Sequence, residues 1–259
     1  MNADPIAALP MWGYIVLFVT GSVAGFVDSI AGGGGLIALP VLMNLGIGPQ
    51  FALGTNKLQA TFGSGSAAWH YSRSGLVSWT DCVEGIVLTI IGAIAGTRLV
   101  EWLDPALLKH IIPVVLLVIA AYVYLKPQLG EQDIHSRMGR ISFYAVAGLN
   151  IGFYDGFFGP GTGTFWAMAF MLGLGFNLTK ATAYTKVMNV ASNVASLAFF
   201  AIGGHIYYAA GMTMAIGQLL GAKAGSHMVI TRGTKFIRPV FLTVVVAVTA
   251  KLLYNTYWQ

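Results

Sequence analysis

Four ionisable residues stand out because everything around them is apolar. Asp28 lies within GFVDSIAGGGGLIALP, Gly25 to Pro40, and Asp155 within GFYDGFFGPGTGTF, Gly152 to Phe165. Lys57 sits in TNKLQ and Lys186 in YTKVM. A charged side chain at the centre of a membrane helix costs about 2.5–3.5 kcal/mol on insertion scales. A glycine inside a helix costs roughly 0.5–1 kcal/mol relative to alanine. A chain that keeps both is using them. Shielded ammonium groups attract a small anion, and glycine tracts leave backbone N–H groups bare at a helix start. Carboxylates beside them can act as counter-ions or carry protons. Lys57 and Lys186 are therefore the expected anion-attracting groups, with Asp28 and Asp155 as candidates for proton coupling.

These residues need elements that hold them away from water. The chain has 259 residues, is 56% hydrophobic and 9% charged, with a mean hydropathy of +0.74. Soluble domains carry about 25% charged residues, so the composition points to an integral membrane protein. The apolar runs are continuous rather than alternating, which argues for helices over a barrel. No Lys or Arg precedes Lys57, so a basic signal leader is not expected. The single Cys82 excludes an internal disulfide and a cysteine-based metal site. The net charge of +5 is better explained by topology than by nucleic acid.

The second half repeats the first. GFVDSIAGGG from Gly25 aligns with GFYDGFFGPG from Gly152, placing Asp28 on Asp155 and Gly32 on Gly159. After two residues of slippage Lys57 meets Lys186, Gly75 meets Gly204, and IGAIAG from Ile91 meets LGAKAG from Leu220. Paired carboxylates and lysines at matched places mark a duplicated unit. Each unit holds five apolar segments: 11–31, 34–46, 51–70, 79–101 and 105–125, then 141–159, 161–175, 177–201, 207–230 and 233–256. The expected organisation is a first transmembrane repeat over 1–125, a cytoplasmic connecting loop over 126–140 and a second repeat over 141–259. The second segment of each unit is short. Whether it crosses as a broken helix or re-enters, the number of crossings per unit is odd, which turns the second copy upside down.

Positive charge tests that parity. With odd units Arg73, Lys126, Arg137, Arg140, Lys180, Arg232, Lys235 and Arg238 share one side. The other receives Asp4, Glu101 and Asp104, with Arg98, Lys109 and Lys251 near segment ends. The expectation is a multi-pass cell (inner or plasma) membrane protein with extracytoplasmic termini. Trp12, Trp69, Trp79, Trp102 and Trp258 fall near segment ends, as an aromatic belt would.

Non-helical backbone at membrane depth needs protein or water around it, so both glycine loops are expected inside the bundle near the midplane. Gly33, Gly34 and Gly35 in the first loop, and Gly161, Thr162 and Gly163 in the second, are candidate backbone contacts to an anion. The alternative is that these glycines only let helices pack closely. Lys186, Asn189 and Asn193 recur at i, i+3 and i+7 on one helical face; Asn56, Lys57, Gln59 and Ser64 form a looser set in the first unit. The alternative for the lysines is that each pairs with the Asp of its own unit and staples helices together. Gln218 and Lys223 are weaker candidates. His70, His110, His135, His205 and His227 read as ordinary interfacial residues, and no HExxH, DxxD or Ser-centred GxSxG element supports catalysis.

GFVDSIAGGGGLIALP, GTNKLQA, GFYDGFFGPGTGTF, NLTKATAYTKVMN and GQLLGAKAGS together resemble the sulfite exporter TauE/SafE family of membrane transporters, the TSUP permeases, in its YfcA-like branch. The resemblance runs from Trp12 to Tyr254. It implies a duplicated helical transporter of small sulfur-containing anions such as sulfite, sulfonates and sulfoacetate. By motif it places the site at Asp28, Gly32 to Gly35, Asn56 and Lys57, with Asp155, Gly159 to Gly163, Lys186 and Asn189. Pro160 and Thr162 stand where the first copy has glycines, so the two loops need not bind alike.

The expected fold is an all-α integral membrane protein of two inverted repeats, with helices broken or re-entrant at the glycine loops. The expected function is secondary transport of a small anion by alternating access, with coupling to protons as an option. An anion channel is the first rival, a membrane enzyme on lipid-linked phosphate the second, and a scaffold the third. No cofactor, metal or nucleic acid is called for, and the partners are a small anionic substrate and the bilayer. Membrane proteins of this size often pair as homodimers, although no segment marks a dimer face.

Overall fold

Glycine and proline decide where these helices begin and stop. The structure, a computed structural model, describes residues 9–104 and 135–233 together with positions 107 and 239. The first helix, α1 (Met11–Ala31), follows Pro10 and ends at Gly32, whose φ of 76° lies in the left-handed region that a side chain disfavours. Helix α2 (Gly34–Asn44) restarts two residues later. Its 11 residues reach roughly 16 Å, about half of a hydrocarbon core. Helix α3 (Pro49–Arg73) opens with proline in its first turn, and a short turn at Trp79–Asp81 leads into α4 (Val83–Trp102).

The second half follows the same plan: α5 (Arg140–Phe157), α6 (Thr162–Ala169) running into a π-helical turn at Phe170–Leu174, α7 (Leu178–Ile202) and α8 (Tyr208–Arg232). Among the described residues every regular element is helical, so the fold is all-α. The eight helices match the first four segments expected in each unit to within a few residues, because apolar runs end where glycine, proline or polar residues interrupt them. The fifth segments, 105–125 and 233–256, and most of the 126–140 loop lie outside the described residues.

Helices α1, α4 and α7 are long and apolar enough to cross a bilayer. Their outward faces carry Ile15, Val19, Val83, Val87, Ile91 and Val194, all exposed. By contrast α3, with 25 residues, has low overall hydropathy because it turns Thr55, Asn56, Lys57, Gln59 and Ser64 inward. Apolar outside and polar inside is the arrangement that hydrocarbon surroundings select. Trp12, Trp69, Trp79 and Trp102 are exposed near helix ends, while Trp258 lies outside the described residues.

The two halves interlock. Helix α1 packs mainly on α8 and α5 mainly on α4, while α3 and α7 cross at the centre. Glycines bring the backbones of each seam together: a Cβ added at Gly25 would stand 2.5 Å from the Gln218 carbonyl oxygen, and one at Gly152 2.5 Å from that of Thr89. Without a hydrophobic drive between helices in lipid, such close approach supplies the packing energy. At one end Arg140 of α5 donates to Asp81, and the Ser78 amide donates to the Tyr184 hydroxyl of α7. At the other, Tyr207 N donates to Thr55 near the start of α3, the Tyr207 hydroxyl meets that of Tyr14 in α1, and Gln50 donates to Glu101 O and Leu103 O at the end of α4. The core is not uniform: Leu36, Leu39 and Leu42 fill the region around α2, whereas Phe143, Trp166, Phe170 and Tyr184 fill that around α6.

Candidate functional site

Both glycine tracts break their helices in the interior, where they meet backbone to backbone. A Cβ added at Gly32 would lie 2.5 Å from the Cα of Gly163, and one at Gly163 2.5 Å from the Cα of Gly32. Gly161, with φ 81°, turns the second loop into α6. These glycines are thus needed for contact between the loops, whereas seam glycines such as Gly25 and Gly152 serve helix packing.

The lysines sit on the two crossing helices, α3 and α7, and the carboxylates on the two helices that end at the loops, α1 and α5. Lys57 is 1% exposed and Lys186 fully buried. Neither pairs with the carboxylate of its own half. Lys57 Nζ donates to Asp155 Oδ1 at 2.6 Å, and Lys186 Nζ to Asp28 Oδ2 at 2.9 Å. This corrects the own-unit staple. Helices α3 and α7 pack on each other between the halves, and each presents its lysine to the carboxylate of the opposite half. Ion pairs taken out of water are held only when geometry and further hydrogen bonds repay desolvation.

The two pairs are braced differently. Asp155 also accepts a hydrogen bond from the Ser192 hydroxyl. Lys57 Nζ has a second acceptor, Asn193 Oδ1 at 3.2 Å, and Asn193 Nδ2 donates to Ser64 at 3.3 Å. Asp28 instead accepts from the Gly34 amide at 3.3 Å, at the start of α2. Its side chain is 18% exposed, against 4% for Asp155. The α2 amide foreseen as bare is therefore already held by an internal carboxylate.

A cavity of about 30 Å³ lies between the loops and the crossing helices, room for roughly two water molecules. Asp28, Lys57, Asp155, Asn56, Asn189 and Asn193 line it from the side chains. Gly35, Gly161, Thr162 and Gly163 line it from the loops. Of the other expected residues, Lys186 is buried behind Asp28, and Gly33 and Gly34 are not in the wall. Gln59 donates to Asn56 at 2.7 Å and leaves its Oε1 without a hydrogen-bond partner. Asn189 Oδ1 is likewise buried and unpartnered.

Ser192 was not singled out from the sequence, although it follows Asn189 by one helical turn. Gln218 is buried, with Oε1 unpartnered between Gly25 and Gly63, while Lys223 is exposed and remote from the cavity. His205 lies 3.7 Å from Glu101, His70 bonds Ser66 O, His135 and His227 are exposed, and His110 is outside the described residues. Burial pushes the Cys82 thiol up to about 12, with Asp81 adding to the shift, which disfavours the nucleophilic thiolate. Among the described residues no cluster of His, Cys, Asp and Glu could hold a metal ion.

Known proteins place this arrangement. The family model described as sulfite exporter TauE/SafE matches residues 17–252. A protein named probable membrane transporter protein YfcA, from Escherichia coli strain K12, is 46% identical over 244 residues, covering 94% of this chain and 91% of its own. A probable membrane transporter protein of Haemophilus influenzae is 43% identical over 243 residues, covering 94% and 95%. One from Bacillus subtilis, named YunE, is 24% identical over 267 residues, covering 93% and 98%. No solved structure matches. With a family model spanning nearly the whole chain and relatives matched almost end to end, the chain belongs to the sulfite exporter TauE/SafE family of membrane transporters.

Proposed function

We propose that this protein is a secondary transporter of a small anion, a sulfur oxyanion or organosulfonate such as sulfite or sulfoacetate, working by alternating access between two inverted repeats. The observation that carries the reading is the pair of buried Lys–Asp contacts, each joining one half to the other around a cavity edged by loop backbone. Support for inversion comes from the helix ends: α3 starts where α8 starts, and α7 starts at the end where α5 starts.

Lys57 and Lys186 attract the anion, loop amides and Asn56, Asn189 and Asn193 orient it, and the carboxylates neutralise the lysines when it is absent. A sulfonate group has four heavy atoms against the roughly two waters that the cavity holds, so loading involves movement of the lining. Protons carried on the carboxylates couple the cycle to a gradient. The protein lies in the cell membrane with its central loop cytoplasmic.

Flux of labelled sulfite into proteoliposomes tests the reading, with protein-free vesicles subtracted. Saturable flux, accelerated by a pH gradient and lost in Lys57→Ala and Lys186→Ala, is the expected outcome. Sulfite flux no greater than that of empty vesicles would remove the substrate class, and unchanged flux in both variants would remove the lysines.

A further inference from the structure

We infer that Asp28 is a built-in stand-in for the substrate: its carboxylate occupies the oxyanion site, and the transported anion displaces it as it takes up one proton. This deepens the reading above and rests on it. Two oxygens of Asp28 already sit where two oxygens of an oxyanion would. Oδ2 accepts from Lys186 Nζ at 2.9 Å, and Oδ1 from the Gly34 amide at 3.3 Å. Lys186 and the amino end of α2 thus form a two-donor cradle for an anionic group. A second observation points to a ligand in the same place. Asn189, one turn beyond Lys186 and lining the same cavity, is 6% exposed, with an unpartnered Oδ1, an acceptor that the hydroxyl of a protonated oxyanion or a water carried in with it would satisfy.

The two carboxylates are not equally free to leave. Asp155 is clasped by Lys57 and Ser192, and Lys57 is clasped in turn by Asn193. Lys186 donates to Asp28, and that carboxylate keeps one side open to the cavity. Asp28 is therefore the exchangeable member and Asp155 the fixed one.

Charge counting sets the rest. Lys57, Lys186, Asp28 and Asp155 sum to zero. An incoming monoanion replaces the Asp28 charge at Lys186, and the displaced carboxylate, still buried in the bundle, becomes neutral by binding a proton. One singly charged oxyanion, bisulfite or a sulfonate, then moves with one proton. The charged and titratable groups around Asp28 are Lys186 of α7 and Lys57 and Tyr71 of α3, with Asp155 of α5 across the cavity. Helices α2 and α6 carry none, and α8 leaves Tyr208, Lys223, His227 and Arg232 exposed.

The test compares Asp28→Asn with Asp155→Asn in the full chain, reconstituted, using labelled sulfite. Two modes are read: exchange at equal pH, and accumulation driven by acid on the sulfite side. Asp28→Asn should separate the two modes, losing gradient-driven accumulation entirely while exchange falls by a clearly smaller factor, whereas Asp155→Asn should lose both at least tenfold. Both variants see the same sulfite at the same pH, so titration of sulfite itself cancels. If Asp28→Asn fails to fold, Asp28→Glu and Asp155→Glu replace it: the first should keep at least half of the gradient-driven flux, the second lose it tenfold.

Gradient-driven accumulation at the wild-type level in Asp28→Asn would overturn the inference, as would the reverse order of the two sites in either variant set. Either result leaves wild-type transport, and so the proposed function, standing. A wild type that moves no sulfite would take down both.

Discussion

The two Lys–Asp contacts are the same residues placed by the same duplication, yet they differ in how tightly they are enclosed. Lys57–Asp155 is 2.6 Å long, with side chains 2% and 4% exposed, and gains Ser192 and Asn193 as further partners. Lys186–Asp28 is 2.9 Å long, its carboxylate is 18% exposed, and its other partner is one backbone amide. The difference follows from what duplication did not preserve. By the repeat alignment, Ser192 and Asn193 of α7 correspond to Gly63 and Ser64 of α3, and Gln218 fills the space over Gly63. A symmetric frame thus carries one clamped pair and one loose one. In the proposed transport cycle the clamped pair would hold the halves in register and the loose pair would let go.

The largest expected effect comes from the clamped side. Lys57→Ala strands Asp155 in the interior, which costs about 3–5 kcal/mol when a buried partner is removed. Lys186→Ala leaves a carboxylate that still reaches the cavity, and should cost about 1–3 kcal/mol. Thermal unfolding in detergent compares them, and equal losses would erase the distinction between the pairs.

A double-mutant cycle sharpens the crosswise geometry. Lys57→Met combined with Asp155→Leu should recover most of the loss, giving a coupling of about 3 kcal/mol. Lys57→Met combined with Asp28→Leu, the own-unit combination, should couple by under about 1 kcal/mol. The reverse ranking would return the pairing to within each half.

Smaller still, Ser192→Ala removes a donor from the Asp155 carboxylate, which keeps Lys57, and should cost about 1 kcal/mol. Gly63→Ser, its counterpart on the other side, cannot create the same bond, because a Cβ there runs into the Gln218 side chain. It should lower stability rather than raise it.

Much of this was legible before any coordinates. Helix limits could be read because apolar runs stop at Gly32 and Gly175 and a new helix starts at Pro49, where backbone chemistry sets the boundary. The four charges stood out because hydrocarbon makes them costly. Their partners could not be read. Lys57 and Asp155 are 98 residues apart, and Lys186 and Asp28 158; only the crossing of α3 and α7 decides which carboxylate each lysine meets. Ser192 escaped notice because a serine in a membrane helix commonly bonds its own backbone, as this one also does to Met188 O at 3.2 Å. The bare α2 amide was expected because sequence shows the helix start but not that Asp28 folds back onto it.

The central claim is that the crosswise charges serve transport as well as holding the bundle together. Replacing a buried ion pair by apolar residues of similar volume is often neutral or stabilising, so Lys57→Met/Asp155→Leu separates the two roles. Sulfite flux through that double variant, reconstituted as folded protein, is the direct measurement. The account predicts flux at the level of empty vesicles, and wild-type flux would contradict it.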